Sequence, residues 1–211
     1  MLLATTKVTT GREQLVNGLT DTAGFEPGDI IAFSGNSLIS DLINVATYAI
    51  PRWGISHVGI MGEASDGRLL LFESTTLDSL PCEILGRPFD GTQAHVLEDV
   101  IQRYEGRIWH FPLCRSLYEN ERKRLNEFLL ETISVPYDQM GAFRSAGAGL
   151  SWIESLFRDQ DLSTIFCSEW CCAAHVNIGI FRTDNVSRWN PNRFVRAERK
   201  QNILLKPRRL K

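Results

Sequence analysis

Two apolar runs, "ISHVGIMGE" and "RLLLFEST", stand either side of the four residues "ASDG". Both are short and strand-like, and the link carries Asp66-Gly67, a turn dipeptide. A β-hairpin over residues 55 to 75 is the strongest fold statement in the sequence, and it forces an antiparallel sheet. Its register decides which side chains share a face. A three-residue loop, Ser65-Asp66-Gly67, pairs residues whose numbers add to about 132. His57 and Glu73 are then diagonal neighbours, roughly 7 to 8 Å apart at the backbone. A two-residue Asp66-Gly67 turn moves the pairing by one and turns Glu73 to the opposite face. Both registers stay open at this level.

The remaining elements follow from the same patterning. "EPGDIIAFSG" has a Pro27-Gly28 turn before a buried strand from Ile30 to Phe33. Leu38, Leu42, Ile43 and Ala46 recur at helical spacing, and Pro51 ends that run. "AHVLEDVIQRY" places Val96, Leu97, Val100 and Ile101 on one helical face, and "GRIWHFPL" reads as a later strand. "SLYENERKRLNEFLLETISV" is a helix with Leu125, Phe128, Leu129 and Ile133 as its apolar stripe. Ser116 and Glu119 fit a capping box at its start. The fold class is therefore α+β with a mostly antiparallel sheet. At 211 residues the chain suits one domain with its own core.

The start, "MLLATTKVTTGREQ", lacks a basic leader and a long apolar stretch, and no run approaches the roughly 18 apolar residues of a membrane span. A cytoplasmic chain is the expectation, compatible with a phage-encoded or lysis-released origin. Five cysteines, an odd number, then point to reduced thiols rather than a disulfide framework. From Arg193 onward there are eight Lys/Arg and one acidic residue. Residues 196–211 read as a basic, solvated tail, with weak contact to an anionic surface as the sharper alternative. It lacks the interleaved aromatics of a single-strand binder, so no specific nucleic-acid binding is expected.

Chemistry concentrates in "FCSEWCCAAHVNIGI", which reads as a helix ended by Gly179, with Trp170, Ala173, Ala174 and Ile178 turned inward. Cys167, Cys171 and His175 fall on one face and suggest metal ligands. At 1.5 Å rise per residue, however, Cys167 and His175 lie about 12 Å apart along the axis. Zinc holds its ligands at roughly 2.0 to 2.3 Å, so the three cannot share one ion. No metal and no cofactor is expected. A cysteine in the first turn has another use: the helix dipole and the unpaired N–H groups favour a thiolate and can hold an oxyanion. The plainer alternative for Cys167 is a small buried hydrophobe.

A nucleophilic thiol needs a base. His175 lies two turns down the same helix and reads as packed. His95, at the start of a helix, and His110, in a late strand, read as structural. His57 opens a strand between apolar neighbours, where a polar ring requires a partner, and Glu73 supplies one in the first hairpin register.

Taken in order, "PGDIIAFSG", "ISHVGIMGE", "LLLFEST", "PLCRSLYENERKRLNEFLLETISVPYD" and "FCSEW" resemble the circularly permuted papain-like enzymes, the YiiX- and YebB-like branch of the NlpC superfamily. The resemblance spans about residues 26 to 195 and implies a catalytic domain 26–195 between a lead-in 1–25 and the tail 196–211. It implies a bent antiparallel sheet against a helix that carries the nucleophile. The implied roles are Cys167 as nucleophile, His57 as base and Glu73 as orienting residue. Tyr137-Asp138 matches the family's "YD" pair, and "WNPNRF" resembles its proline-containing stretch. The Gly/Ala-rich segment 141–150 and the run 151–165 look like additions, a lid or a substrate-specific wall.

The expected function is a cysteine hydrolase acting through an acyl-enzyme on an amide, such as a peptide or acyl-amide of peptidoglycan origin. A lipid-directed thiol acyltransferase or phospholipase is the alternative. It would need an apolar surface beside the site, and Leu150, Ile153 and Phe157 offer no more than an ordinary core helix does. A silent binding module of the same fold is a third reading, and the presence of all three site residues counts against it.

Overall fold

The structure is a computed structural model that describes residues 24–35, 54–75, 80–135, 166–186 and 189–211. The expected helix over 38–46, the lead-in before residue 24, Tyr137-Asp138 and the segments 141–150 and 151–165 lie outside the described residues.

A single antiparallel sheet organises the rest. In chain order its strands are β1 (Ile30–Gly35), β2 (His57–Glu63), β3 (Leu69–Thr75), β4 (Gly91–His95), β5 (Gly106–Phe111) and β6 (Arg208–Arg209). In space the order is β4-β3-β2-β1-β5-β6. Four helices are described: α1 (Leu97–Arg103), α2 (Glu119–Glu131), α3 (Phe166–Asn177) and α4 (Pro191–Lys200). The α+β expectation with an antiparallel sheet holds.

Both faces of the sheet are covered, which explains why its strands read as continuous apolar runs. Ile30, Ala32, Val58, Ile60, Leu70 and Phe72 pack into one core with residues of α2, α3 and α4. Ile31, Phe33, Met61, Leu71 and Ile108 form a second core with Leu97, Val100 and Ile101 of α1. Full burial of each large aliphatic or aromatic side chain contributes about 1.5–3 kcal/mol.

The hairpin takes the register of the three-residue loop: Ile60 faces Phe72, and Met61 faces Leu71. The loop closes through Gly67 N–H to Ala64 O and Ala64 N–H to Arg68 O, both 2.9 Å. Gly67 has φ +83°, a left-handed conformation that costs glycine nothing.

Several expectations need correction. The capping box of α2 lies two residues later than Ser116 and Glu119: the Glu121 carboxylate accepts from Tyr118 N–H at 2.9 Å and is paired with Arg115. His95 ends β4 rather than opening a helix, and α1 starts two residues beyond it.

Residues 196–211 are not a solvated tail. A boundary at 195 would cut α4, in which Glu198 is fully buried. Ile203 and Leu204 are buried, Leu204 bridges Leu113, and β6 pairs with β5. The Lys211 ammonium donates to the carbonyls of Ile101 and Tyr104, both of which lie at the C-terminal end of α1. Cations are favoured there because the last carbonyls of a helix lack intrahelical partners. Basic composition concealed an apolar pair and a set of charge-to-backbone bonds.

Candidate functional site

His57 is the first residue of β2 and sits opposite Phe33 of β1. Glu73 of β3 sits opposite Gln93 of β4, and His95 opposite Leu71. Strand alternation puts His57, Glu73 and His95 on the face that also carries Phe33, Met61 and Leu71. The residue directly opposite Glu73 on the β2 side is Gly59. A Cβ there would come within 2.9 Å of Phe72 O and 3.3 Å of the Glu73 Cβ. The missing side chain leaves room for Glu73 to lean diagonally to His57.

The lean ends in a short bond: His57 Nε2 lies 2.7 Å from Glu73 Oε2. The other carboxylate oxygen, Oε1, lies 3.0 Å from His95 Nδ1. The Glu73 side chain is only 2% exposed, against 19% for His57, so the pair opens to solvent on the imidazole side. Phe33 covers the His57 ring at 5.4 Å between centroids, and Tyr104 packs edge-on to Phe33 at 5.0 Å.

Cys167 approaches from the opposite core. It lies in the first turn of α3, which packs on β2 and β3. Ser168 Oγ donates to Trp189 O at 2.5 Å, and Trp170 Nε1 donates to Thr132 Oγ1 at 3.1 Å. These bonds fix the start of the helix, and one turn on Cys171 Sγ lies 3.9 Å from Val58 O of β2. There Cys167 comes near enough to His57 to act on its charge. Nε2 faces Glu73, so Nδ1 is the ring nitrogen that Glu73 does not engage.

The electrostatics follow from this chain of contacts. Burial alone would lower the His57 pKa. The charge of Cys167 and the hydrogen bonds to Cys167 and Glu73 outweigh burial and raise it from 6.5 to about 10. Burial likewise acts to raise Glu73. The bonds to His57 and His95 reverse that and bring it from 4.5 to about 2. Glu73 is thus ionised and His57 protonated at neutral pH.

The backbone ahead of His57 is held as well. Ser56 N–H donates to Phe33 O at 2.8 Å, and the Asn192 side chain bonds both the N–H and the carbonyl of Ile55. Asn192 belongs to the first turn of α4, whose Asn190 side chain caps the helix ahead of Pro191.

The other candidates are placed elsewhere. His110 is buried between Asp29, 2.6 Å away, and Arg208, whose Nε donates to its Nδ1 at 2.7 Å. His175 is buried against Glu198 at 2.6 Å and Gly28 O at 2.9 Å. All five cysteines are free thiols. Burial pushes the Cys171 and Cys172 thiols well up, which suits packing rather than chemistry. Among the described residues, no group of three or more His, Cys, Asp or Glu side chains is disposed to hold a metal ion. Also among them, no helix is long and apolar enough to cross a membrane.

Sequence reasoning missed two parts of this cluster. His95 reaches Glu73 only through the β3–β4 register, which no short turn announces. Asn192 follows an Asn-Pro helix start that was legible as a cap signal.

No family model matches the chain. No curated protein sequence matches it either. Among solved structures it is similar to the crystal structure of the metalloprotein yiiX from Escherichia coli O157:H7. The two share 17% identity over 86% of this chain and 87% of that chain, with a TM-score of 0.47.

Proposed function

We propose that the chain is a cysteine-nucleophile hydrolase of the permuted papain-like type, cleaving an amide through an acyl-enzyme. The observation that carries this reading is the single His57 ring, bonded to Glu73 through Nε2 and close enough to Cys167 for the two to act on each other's charge. Such a row is what thiol catalysis requires: a nucleophile, a group that takes and returns its proton, and a carboxylate that fixes the ring. The histidine strand precedes the cysteine helix in the chain, the order of the permuted arrangement.

In the first step the Cys167 proton resides on His57 Nδ1 and the thiolate attacks the carbonyl carbon. The carbonyl π pair moves to oxygen, giving a tetrahedral oxyanion. The backbone N–H of Cys167, in the first helical turn, helps hold that oxyanion. As the C–N bond breaks, the His57 imidazolium gives its proton to the leaving amine. A thioester on Cys167 remains. His57 then takes a proton from water, hydroxide attacks the thioester, and the carboxylic acid and thiol are released. The raised proton affinity of His57 suits the imidazolium's part as acid toward the amine.

The test is to incubate the protein with short acyl-peptide amides, and separately with phospholipid vesicles, and to identify adducts by mass spectrometry. A peptide-derived acyl group on Cys167, absent in Cys167→Ala, is the expected result. A fatty-acyl adduct from vesicles with no peptide turnover would contradict the amide assignment.

A further inference from the structure

Among the described residues Glu73 makes two bonds, and only the one to His57 belongs to the chemistry described above. The second, from Oε1 to His95 Nδ1, comes from the far side, out of β4. An ionised carboxylate only accepts hydrogen bonds, so a hydrogen sits on His95 Nδ1 and is donated to Glu73. His95 is 2% exposed, and its Nε2 finds no hydrogen-bond partner among the described residues. The ring therefore spends its polar contact on Glu73.

The need for this contact lies in the shape of the site. A glutamate side chain has three rotatable bonds, and one hydrogen bond at its tip leaves the carboxylate plane free to turn. Directly across on β2 stands Gly59, which has no side chain to pack against it, so from that strand only His57 holds Glu73, by its Oε2. Oε1 is held from β4, the edge strand among the described residues, which is tied to the end of α2. Thr92 N–H donates to Val135 O at 2.9 Å, Ser134 N–H donates to Thr92 O at 3.0 Å, and Thr92 Oγ1 donates to Thr132 O at 2.5 Å. His95 is thus mounted on a strand that is bonded directly to the residues just beyond α2.

We propose that His95 is a positioning residue of the site: it holds Glu73 Oε1 so that Oε2 is presented to His57, and acts on Cys167 through that chain. The proposal rests on the reading of Cys167 and His57 as nucleophile and base. It accounts for a second histidine buried at one carboxylate, where a charge so withdrawn from water requires more than one donor.

Two measurements test it. The first is NMR of the full-length wild-type protein with 15N-labelled histidine at neutral pH. Hydrogens on His95 Nδ1 and His57 Nε2 are expected, and a bare His95 Nδ1 would overturn the proposal. The second is the rate of Cys167 alkylation by limiting iodoacetamide in wild type, His95→Asn and His95→Leu. Asparagine sets an amide donor near the Nδ1 position, whereas leucine fills the space without one. The Asn variant is expected to stay within about twofold of wild type and the Leu variant to fall roughly tenfold. An unchanged rate in His95→Leu, or equal losses in both variants, would overturn the proposal. The NMR result needs no variant to fold. It also separates the two readings: a bare Nδ1 beside a reactive Cys167 removes only the role of His95, while a protonated Nδ1 beside an inert Cys167 removes the hydrolase reading.

Discussion

Asn192 brackets the backbone of Ile55: its Oδ1 accepts from Ile55 N–H and its Nδ2 donates to Ile55 O, each at 2.8 Å. One amide thus serves as an extra strand partner two residues before His57, and it ties α4 to the entrance of β2. The C-terminal part of the chain therefore helps to place the imidazole.

Replacing Asn192 by Leu leaves two backbone groups of a part-buried segment unmatched. A loss of about 1–3 kcal/mol is expected per group left without a partner. Denaturant unfolding measures that loss, and the alkylation rate of Cys167 should fall with it. Asn192→Asp keeps the acceptor but loses the donor and buries a charge, so it should be no milder. A variant with wild-type stability and rate would show that the bracket is incidental.

The pH dependence of stability carries a signature of the His57–Glu73 pair. His57 has its pKa raised from 6.5 to about 10, so its contribution is complete below 6.5 and is lost as pH rises toward 10. Glu73 has its pKa lowered from 4.5 to about 2, so its contribution is complete above 4.5 and is lost as pH falls toward 2. The difference in melting temperature between wild type and Glu73→Gln should be largest between pH 4.5 and 6.5 and shrink on both sides. A difference that is flat from pH 3 to 10 would contradict the pairing.

The C-terminal segment yields a prediction opposite to that for a loose tail. Truncation after Lys200 removes Ile203, Leu204 and the β6 pairing. Loss of two buried aliphatic side chains alone amounts to about 3–6 kcal/mol. The truncated chain should be severely destabilised or unfolded by circular dichroism. Unchanged melting would return residues 201–211 to the status of a solvated end.

What could be read in advance follows from where each signal lies. The hairpin was legible because both strands and their turn are contiguous, and a choice between two loop lengths fixed whether His57 and Glu73 share a face. The cysteine helix was legible from its apolar stripe and from Gly179, which takes φ +83° at its end. β4 was not legible, because "GTQAH" is small and polar and is buried through pairing and the Thr92 bonds rather than through apolar side chains. His95 was therefore assigned to the helix that follows it. α4 was hidden by its Arg and Lys residues, although Phe194 and Val195 are buried and Asn190-Pro191 marks its start.

The proposed function requires Cys167 to be the reactive thiol and His57 the group that makes it so. The direct test is alkylation with a limiting amount of iodoacetamide at neutral pH, followed by peptide mapping, in wild type and His57→Ala. Cys167 should be labelled well ahead of Cys82, Cys171 and Cys172, and ahead of the exposed Cys114. His57→Ala should slow that labelling by about 10² to 10⁴, the cost of a lost general base, while the chain stays folded. Labelling of Cys114 first, or a folded His57→Ala with full Cys167 reactivity, would contradict the account.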